Sequence, residues 1–326
     1  MAITAHLASP NVSAMARGGV ILFFVHTSLV LMASLERGGH APGWVRAFYI
    51  RRAFRIYPLS IVTVMLVVMM AMPPQVPVFG AVRPFVPPTS TALLSNFALL
   101  QNLAGQPDVL GVFWSLPLEV QMYVLLPACY LIARRFKWGV AGLALVALVA
   151  SVIYETVELP GLWRFSALAF APCFVSGVIT YAILYHVPRR KTMGAWALPL
   201  IIAVPIALLS HPLAHANMIA AGWIVALAVG LLLPWVAELR ESWLTRAAAV
   251  IARYSYGIYL LHVPVTWIAV VALRDAPLVV QLATIVVGVV MLPIAAFHWV
   301  ERPAIEAGQE AVRRPAMSAA AVVPAP

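Results

Sequence analysis

Trp44-Val45-Arg46-Ala47-Phe48-Tyr49-Ile50-Arg51-Arg52-Ala53-Phe54-Arg55-Ile56-Tyr57-Pro58 sets four arginines between two long apolar segments of a chain that has few charges. A guanidinium stays charged and grips phosphate oxygens with two donors at once, so the stretch reads as a membrane-surface anion site. Aromatic and aliphatic residues separate the basic positions, so one side of a helix can lie in the lipid interface while the arginines face water or a phosphorylated ligand. Basic residues beside a membrane helix also set its orientation. The two readings are compatible.

Composition fixes the class. Of 326 residues, 63% are hydrophobic and only 10% are charged, against about 25% charged in soluble domains. Mean hydropathy is +0.95. These values predict an all-α polytopic membrane protein, since a spanning helix needs about 20 apolar residues. The net charge of +10 lies in short clusters at helix ends, with no aromatic-lined basic surface, which argues against nucleic acid as a partner. Cys129 and Cys173 both fall inside apolar segments and read as core residues. The sequence has no Cys or His cluster with metal-ligand spacing.

Residues 1–17 lack the features of a signal peptide. Beyond them, about nine spans are expected, at 18–35, 56–72, 112–133, 138–154, 163–185, 194–210, 215–237, 247–273 and 277–299. Loops holding Arg46 to Arg55, Arg134/Arg135/Lys137, Arg189/Arg190/Lys191, Arg240/Arg246 and Arg302/Arg313/Arg314 are basic, and those between are neutral or acidic. The positive-inside rule then puts the C-terminus in the cytoplasm and the N-terminus outside. The prolines of residues 73–88 exclude a regular helix there, and Ala92 to Leu103 suits a short interfacial helix. The domain 18–303 is expected to be followed by a disordered tail, 304–326.

Ionisable groups in the bilayer are expensive, so each is a candidate for function. Glu119 lies well inside an apolar span, with Ser115 and Tyr123 at i−4 and i+4 on one helix face. It reads as catalytic, or as the partner of an arginine or of a helix–helix hydrogen bond. Ser255, Tyr259 and His262 share a second face, which serves interhelical hydrogen bonding more readily than catalysis. His26 is either a proton-transfer base or a packed histidine.

Four motifs in order, Arg51-Arg52-Ala53-Phe54-Arg55-Ile56-Tyr57-Pro58, Trp114-Ser115-Leu116-Pro117-Leu118-Glu119, Ser255-Tyr256-Gly257-Ile258-Tyr259-Leu260-Leu261-His262 and Trp299-Val300-Glu301-Arg302-Pro303, resemble the bacterial integral-membrane acyltransferase 3 family. The resemblance runs from Gly18 to Pro303. It implies an inner-membrane O-acyltransferase that moves acetyl or longer acyl groups from acyl-CoA to hydroxyls of saccharides or other envelope and secondary-metabolite acceptors. Acyl-CoA is then a co-substrate, and no cofactor or metal is tightly bound. By the same resemblance Arg51, Arg52 and Arg55 hold the CoA phosphates, with Tyr57 beside them; the residues themselves make Glu119, His26 and His262 catalytic candidates and Trp114, Ser115, Tyr123, Ser255 and Tyr259 candidates for positioning substrate. An export protein of the same fold for a modified glycan is the alternative, and a non-catalytic scaffold is a third.

The family's first helix carries an arginine and then a histidine thought to be the base, and this sequence begins where the second helix should. His26 stands where an aliphatic residue is commoner. The expectation is that Met1 is not the natural start; otherwise His26 serves or the chain is inactive.

Overall fold

The computed structural model describes residues 10–39, 42–73, 84–136, 138–187, 193–209, 211 and 217–321. Lys137, Arg189, Arg190 and Lys191 therefore lie outside the described residues. The helices are α1 (Pro10–Arg37), α2 (Trp44–Met69), α3 (Ser90–Phe97), α4 (Gln101–Ala104), α5 (Ser115–Arg135), α6 (Gly139–Thr156), α7 (Ala167–His186), α8 (Ala197–Leu209), α9 (Met218–Leu232), α10 (Trp243–Trp267), α11 (Leu278–Ala296) and α12 (Arg302–Ala321). Among the described residues, eight helical segments are long and apolar enough to cross a bilayer. The protein is an all-α polytopic membrane protein. Within the expected span at 194–210 the described residues form α8, 13 residues with Pro205 inside it, and residue 210 lies outside the described residues.

The chain divides into two compact units, the first Met1–His40 with Ser115–Arg240 and the second Ala41–Trp114 with Glu241–Pro326. In the first unit, α1 and α9 pack on α7. Lipid supplies little hydrophobic drive between helices, so small residues that admit close backbones do the work. A Cβ on Gly177 would overlap Ser28 Oγ and Val25 O, and one on Gly230 would lie 2.6 Å from Ser176 O. Thr180 Oγ1 uses that proximity to donate to Gly230 O at 2.8 Å, and Phe24 stacks on Phe174 with ring centres 4.6 Å apart.

The C-terminal ends of α1, α5 and α7 meet at one carboxylate. Glu36 Oε2 accepts from Tyr130 Oη at 2.6 Å, Tyr181 Oη at 2.7 Å and Arg134 Nη1 at 3.4 Å. These ends carry Arg37, Arg134 and Arg135, so the alternation of charge read from the loops corresponds to one basic end of this unit.

In the second unit, α2 and α10 run side by side. Tyr256 Oη donates to Ile56 O at 2.7 Å, and the two residues stand at nearly equal distances from Trp44 and Trp243, the starts of their helices. The bond thus joins the middles of the two helices, and both helices begin among arginines. After α2 the chain returns into the unit. Tyr57 lies about 20 Å along α2, near its middle, and its hydroxyl donates to Ala98 O at 3.1 Å. Tyr259, in the second half of α10, likewise donates to Val112 O at 2.7 Å.

The segment 84–114 is thus re-entrant, and the single interfacial helix expected over Ala92–Leu103 is two short helices broken at Ala98–Leu100. Leu99 makes the break, at φ 54° and with no solvent exposure, a left-handed conformation that only tight surroundings hold in a non-glycine residue. Backbone that leaves helical pairing inside the protein must be satisfied by protein. Asn96 meets that requirement, donating to Ala92 O and Pro107 O at 2.8 and 2.9 Å and accepting from Val109 N at 3.0 Å.

The tail expected to be disordered from 304 instead continues as helix α12 to Ala321. Its partly buried positions Ala304, Ile305, Gly308, Ala311 and Val312 recur at helical spacing. Gly308 permits the crossing with α2, because a Cβ there would lie 2.7 Å from Phe54 Cβ.

If Tyr57 and Tyr259 suspend the re-entrant segment, Tyr57→Phe and Tyr259→Phe each cost about 1 kcal/mol locally. Hydrogen exchange should then rise about fivefold in residues 90–114 and stay unchanged in α7; unchanged exchange in 90–114 contradicts this.

Candidate functional site

Three of the sequence motifs meet at the basic end of the second unit. Arg55 Nη1 donates to Glu301 Oε2, and the two side chains are 25% and 0% exposed. The Arg55 guanidinium carbon also lies 5.6 Å from the centre of the Tyr256 ring. The segment Phe297–Glu301 is π-helical, a wider turn that shifts the faces of a helix. Glu301 is buried while Trp299 is 81% exposed. Gly257 completes the packing: a Cβ there would lie 3.1 Å from Pro293 Cβ and 3.4 Å from Glu301 Oε1.

A carboxylate removed from water costs several kcal/mol unless a cation compensates it, so Arg55 is fixed in place by Glu301. Arg51 is half-buried, Arg46 is exposed, and neither has an ion-pair partner among the described residues. Arg52, beside Arg51, is half-buried. Tyr57, grouped with these arginines by sequence, turns its hydroxyl to the re-entrant backbone.

Farther along α10, Tyr259 and His262 have ring centres 6.2 Å apart. His262 Nδ1 lies 3.1 Å from Ile258 O. A carbonyl only accepts, so Nδ1 carries a proton in this contact, and in the neutral form of the ring Nε2 is the lone-pair acceptor. Nε2 has no hydrogen-bond partner among the described residues. Ser255, expected on the same face, is exposed and donates to Ala252 O of its own helix at 2.8 Å.

The first unit holds the other candidates. Ser115, Glu119 and Tyr123 are all buried, and the Tyr123 hydroxyl donates to Glu119 Oε1, as the i, i+4 spacing predicts. Trp114, which belongs to the second unit, ends the 3₁₀ turn Gly111–Trp114. His26 is exposed on α1 and makes no hydrogen bond among the described residues. Sequence reasoning used Glu301 as a signature only and passed over Glu36; a carboxylate closing an apolar run beside an arginine was the available signal.

A family model described as an acyltransferase domain, Acyl_transf_3, matches residues 2–300. The chain belongs to the acyltransferase 3 family. It is a multi-pass membrane acyltransferase in kind. No curated protein and no solved structure matches it. Among the described residues, no group of three or more His, Cys, Asp or Glu is placed to hold a metal ion.

Gly257→Val tests the acyltransferase packing at Glu301. The branched side chain should displace Pro293 or Glu301 at a cost of about 1–3 kcal/mol, seen as a lower unfolding temperature in detergent. An unchanged unfolding temperature contradicts the tight contact.

Proposed function

We propose that this protein moves an acyl group from acyl-CoA to a hydroxyl of a saccharide or related envelope acceptor, in the bacterial inner membrane, with the basic ends and the C-terminus in the cytoplasm. The observation that carries this reading is the Tyr256–Ile56 bond between α2 and α10, two helices that the positive-inside rule would run the same way because both begin among arginines. Arg52 lies one turn before Ile56 and His262 lies six residues beyond Tyr256, so with those two levels joined the axial separation is about 15 Å. CoA has the same division, with phosphates at one end and a thioester at the end of a long pantetheine arm. Arg51 and Arg52 take the phosphates, anchored from below by the Arg55–Glu301 pair, and the arm delivers the thioester to the half of the unit that contains His262.

The reaction follows by proton transfer. Nε2 of His262 accepts the acceptor's hydroxyl proton while the oxygen attacks the thioester carbonyl. The carbon–sulfur bond then breaks, and the imidazolium returns the proton to the CoA thiolate. The fixed Nδ1–H···O=C bond to Ile258 holds the tautomer this requires. The Glu119–Tyr123 pair is the first unit's buried carboxylate, and Glu119→Gln tests its charge at constant shape.

Membranes containing the protein should transfer label from radiolabelled acetyl-CoA to a hydroxyl acceptor. Arg52→Lys keeps charge and loses the fork of donors, so donor KM should rise about tenfold. His262→Gln should lower kcat at least a hundredfold. Glycan export that depends on the protein, without any label transfer, overturns the enzyme reading in favour of transport.

A further inference from the structure

The re-entrant segment holds polar groups that the proposed chemistry does not use. Gln101 is 1% exposed, on the four-residue helix α4. Its Nε2 donates to Asp108 Oδ1 at 2.9 Å and reaches Phe113 O at 3.4 Å. Both partners are acceptors, which fixes the amide orientation. Gln101 Oε1 is left buried with no hydrogen-bond partner, the kind of group that calls for a water or a ligand. Asp108 is half-buried, and its Oδ2 has no partner among the described residues.

We propose that Gln101 and Asp108 form a hydroxyl-binding subsite that takes two neighbouring hydroxyls of a neutral polyol, the acceptor end of the transferase. This rests on the function proposed above. The atoms left open, Gln101 Oε1 and Asp108 Oδ2, are acceptor oxygens, so a ligand that meets them brings hydrogens. The described part of the segment, 84–114, contains no lysine or arginine to compensate Asp108.

The subsite is joined to His262 through protein. Gln101 bonds to Phe113 O, the adjacent Val112 O accepts from Tyr259, and Tyr259 packs against His262. A polyol held at Gln101 and Asp108 therefore lies on the same framework as the lone pair assigned to deprotonate it. A carboxylate alone also suits an ammonium ion. The buried amide oxygen beside it, which gains more from a second hydroxyl than from a bulky cation, favours the polyol.

The test is binding of methyl glucoside to the full chain in detergent, without donor, followed by tryptophan fluorescence. Wild-type protein should show a saturable change. Asp108→Asn and Gln101→Leu should each raise Kd tenfold or more, with unfolding temperatures within a few degrees of wild type. Wild-type protein that fails to bind methyl glucoside, or binds choline in its place, overturns the proposal. So does an Asp108→Asn protein, folded as wild type, with unchanged Kd. Gln101→Leu that loses stability but keeps its Kd assigns Gln101 to packing alone and also overturns the paired site. The transferase reading is decided separately: methyl glucoside binding with no cleavage of acetyl-CoA removes that reading and leaves the subsite standing.

Discussion

A carboxylate with no access to water has to be matched by a cation, and in the second unit that demand links Glu301 to Arg55 across 246 positions of sequence. The consequences spread through the unit. The basic start of α2 is fixed against the end of the last spanning segment, and Tyr256 lies over the same guanidinium while bonding to Ile56 O. One arginine of the basic stretch is thereby committed to holding the stretch in place. Its neighbours Arg51 and Arg52 are presented on a rigid helix, which is what a phosphate-binding site requires.

The same economy governs the membrane interior. Backbone that leaves helical pairing must find partners, because lipid offers none. The side chains that meet this need are Tyr57, Asn96 and Tyr259, each bonded to backbone of the re-entrant segment. In the first unit Tyr130, Tyr181 and Arg134 converge on Glu36, gathering three helix ends while Gly177 and Gly230 bring the helices close. Polar side chains here serve first as structure.

The spans were legible because bilayer thickness fixes their length and lipid fixes their composition. Segment 194–210 is apolar as expected, and 13 of its described residues form a helix that carries Pro205 inside it. The end of the chain misled: an alanine-rich, charged sequence reads as solvated until its small face is found against Phe54. At the candidate site, the Glu119–Tyr123 and Tyr259–His262 pairings followed from helical spacing, which depends only on neighbours in sequence. Glu301 and Asp108 did not, because the burial of Glu301 and the fixing of Asp108 come from Arg55 and Gln101, which no local pattern connects to them. The re-entrant path was likewise invisible, since its depth is set by two tyrosines on other helices.

The measurement that bears most directly on this account is a double-mutant cycle on Arg55→Ala and Glu301→Ala, read by unfolding of the full chain in detergent. The account predicts that Glu301→Ala or Arg55→Ala alone costs about 3 kcal/mol or more. The double variant should cost far less than the sum, with a coupling energy near 2–3 kcal/mol. Additive losses, or single variants as stable as wild type, would show that the second unit does not depend on this ion pair.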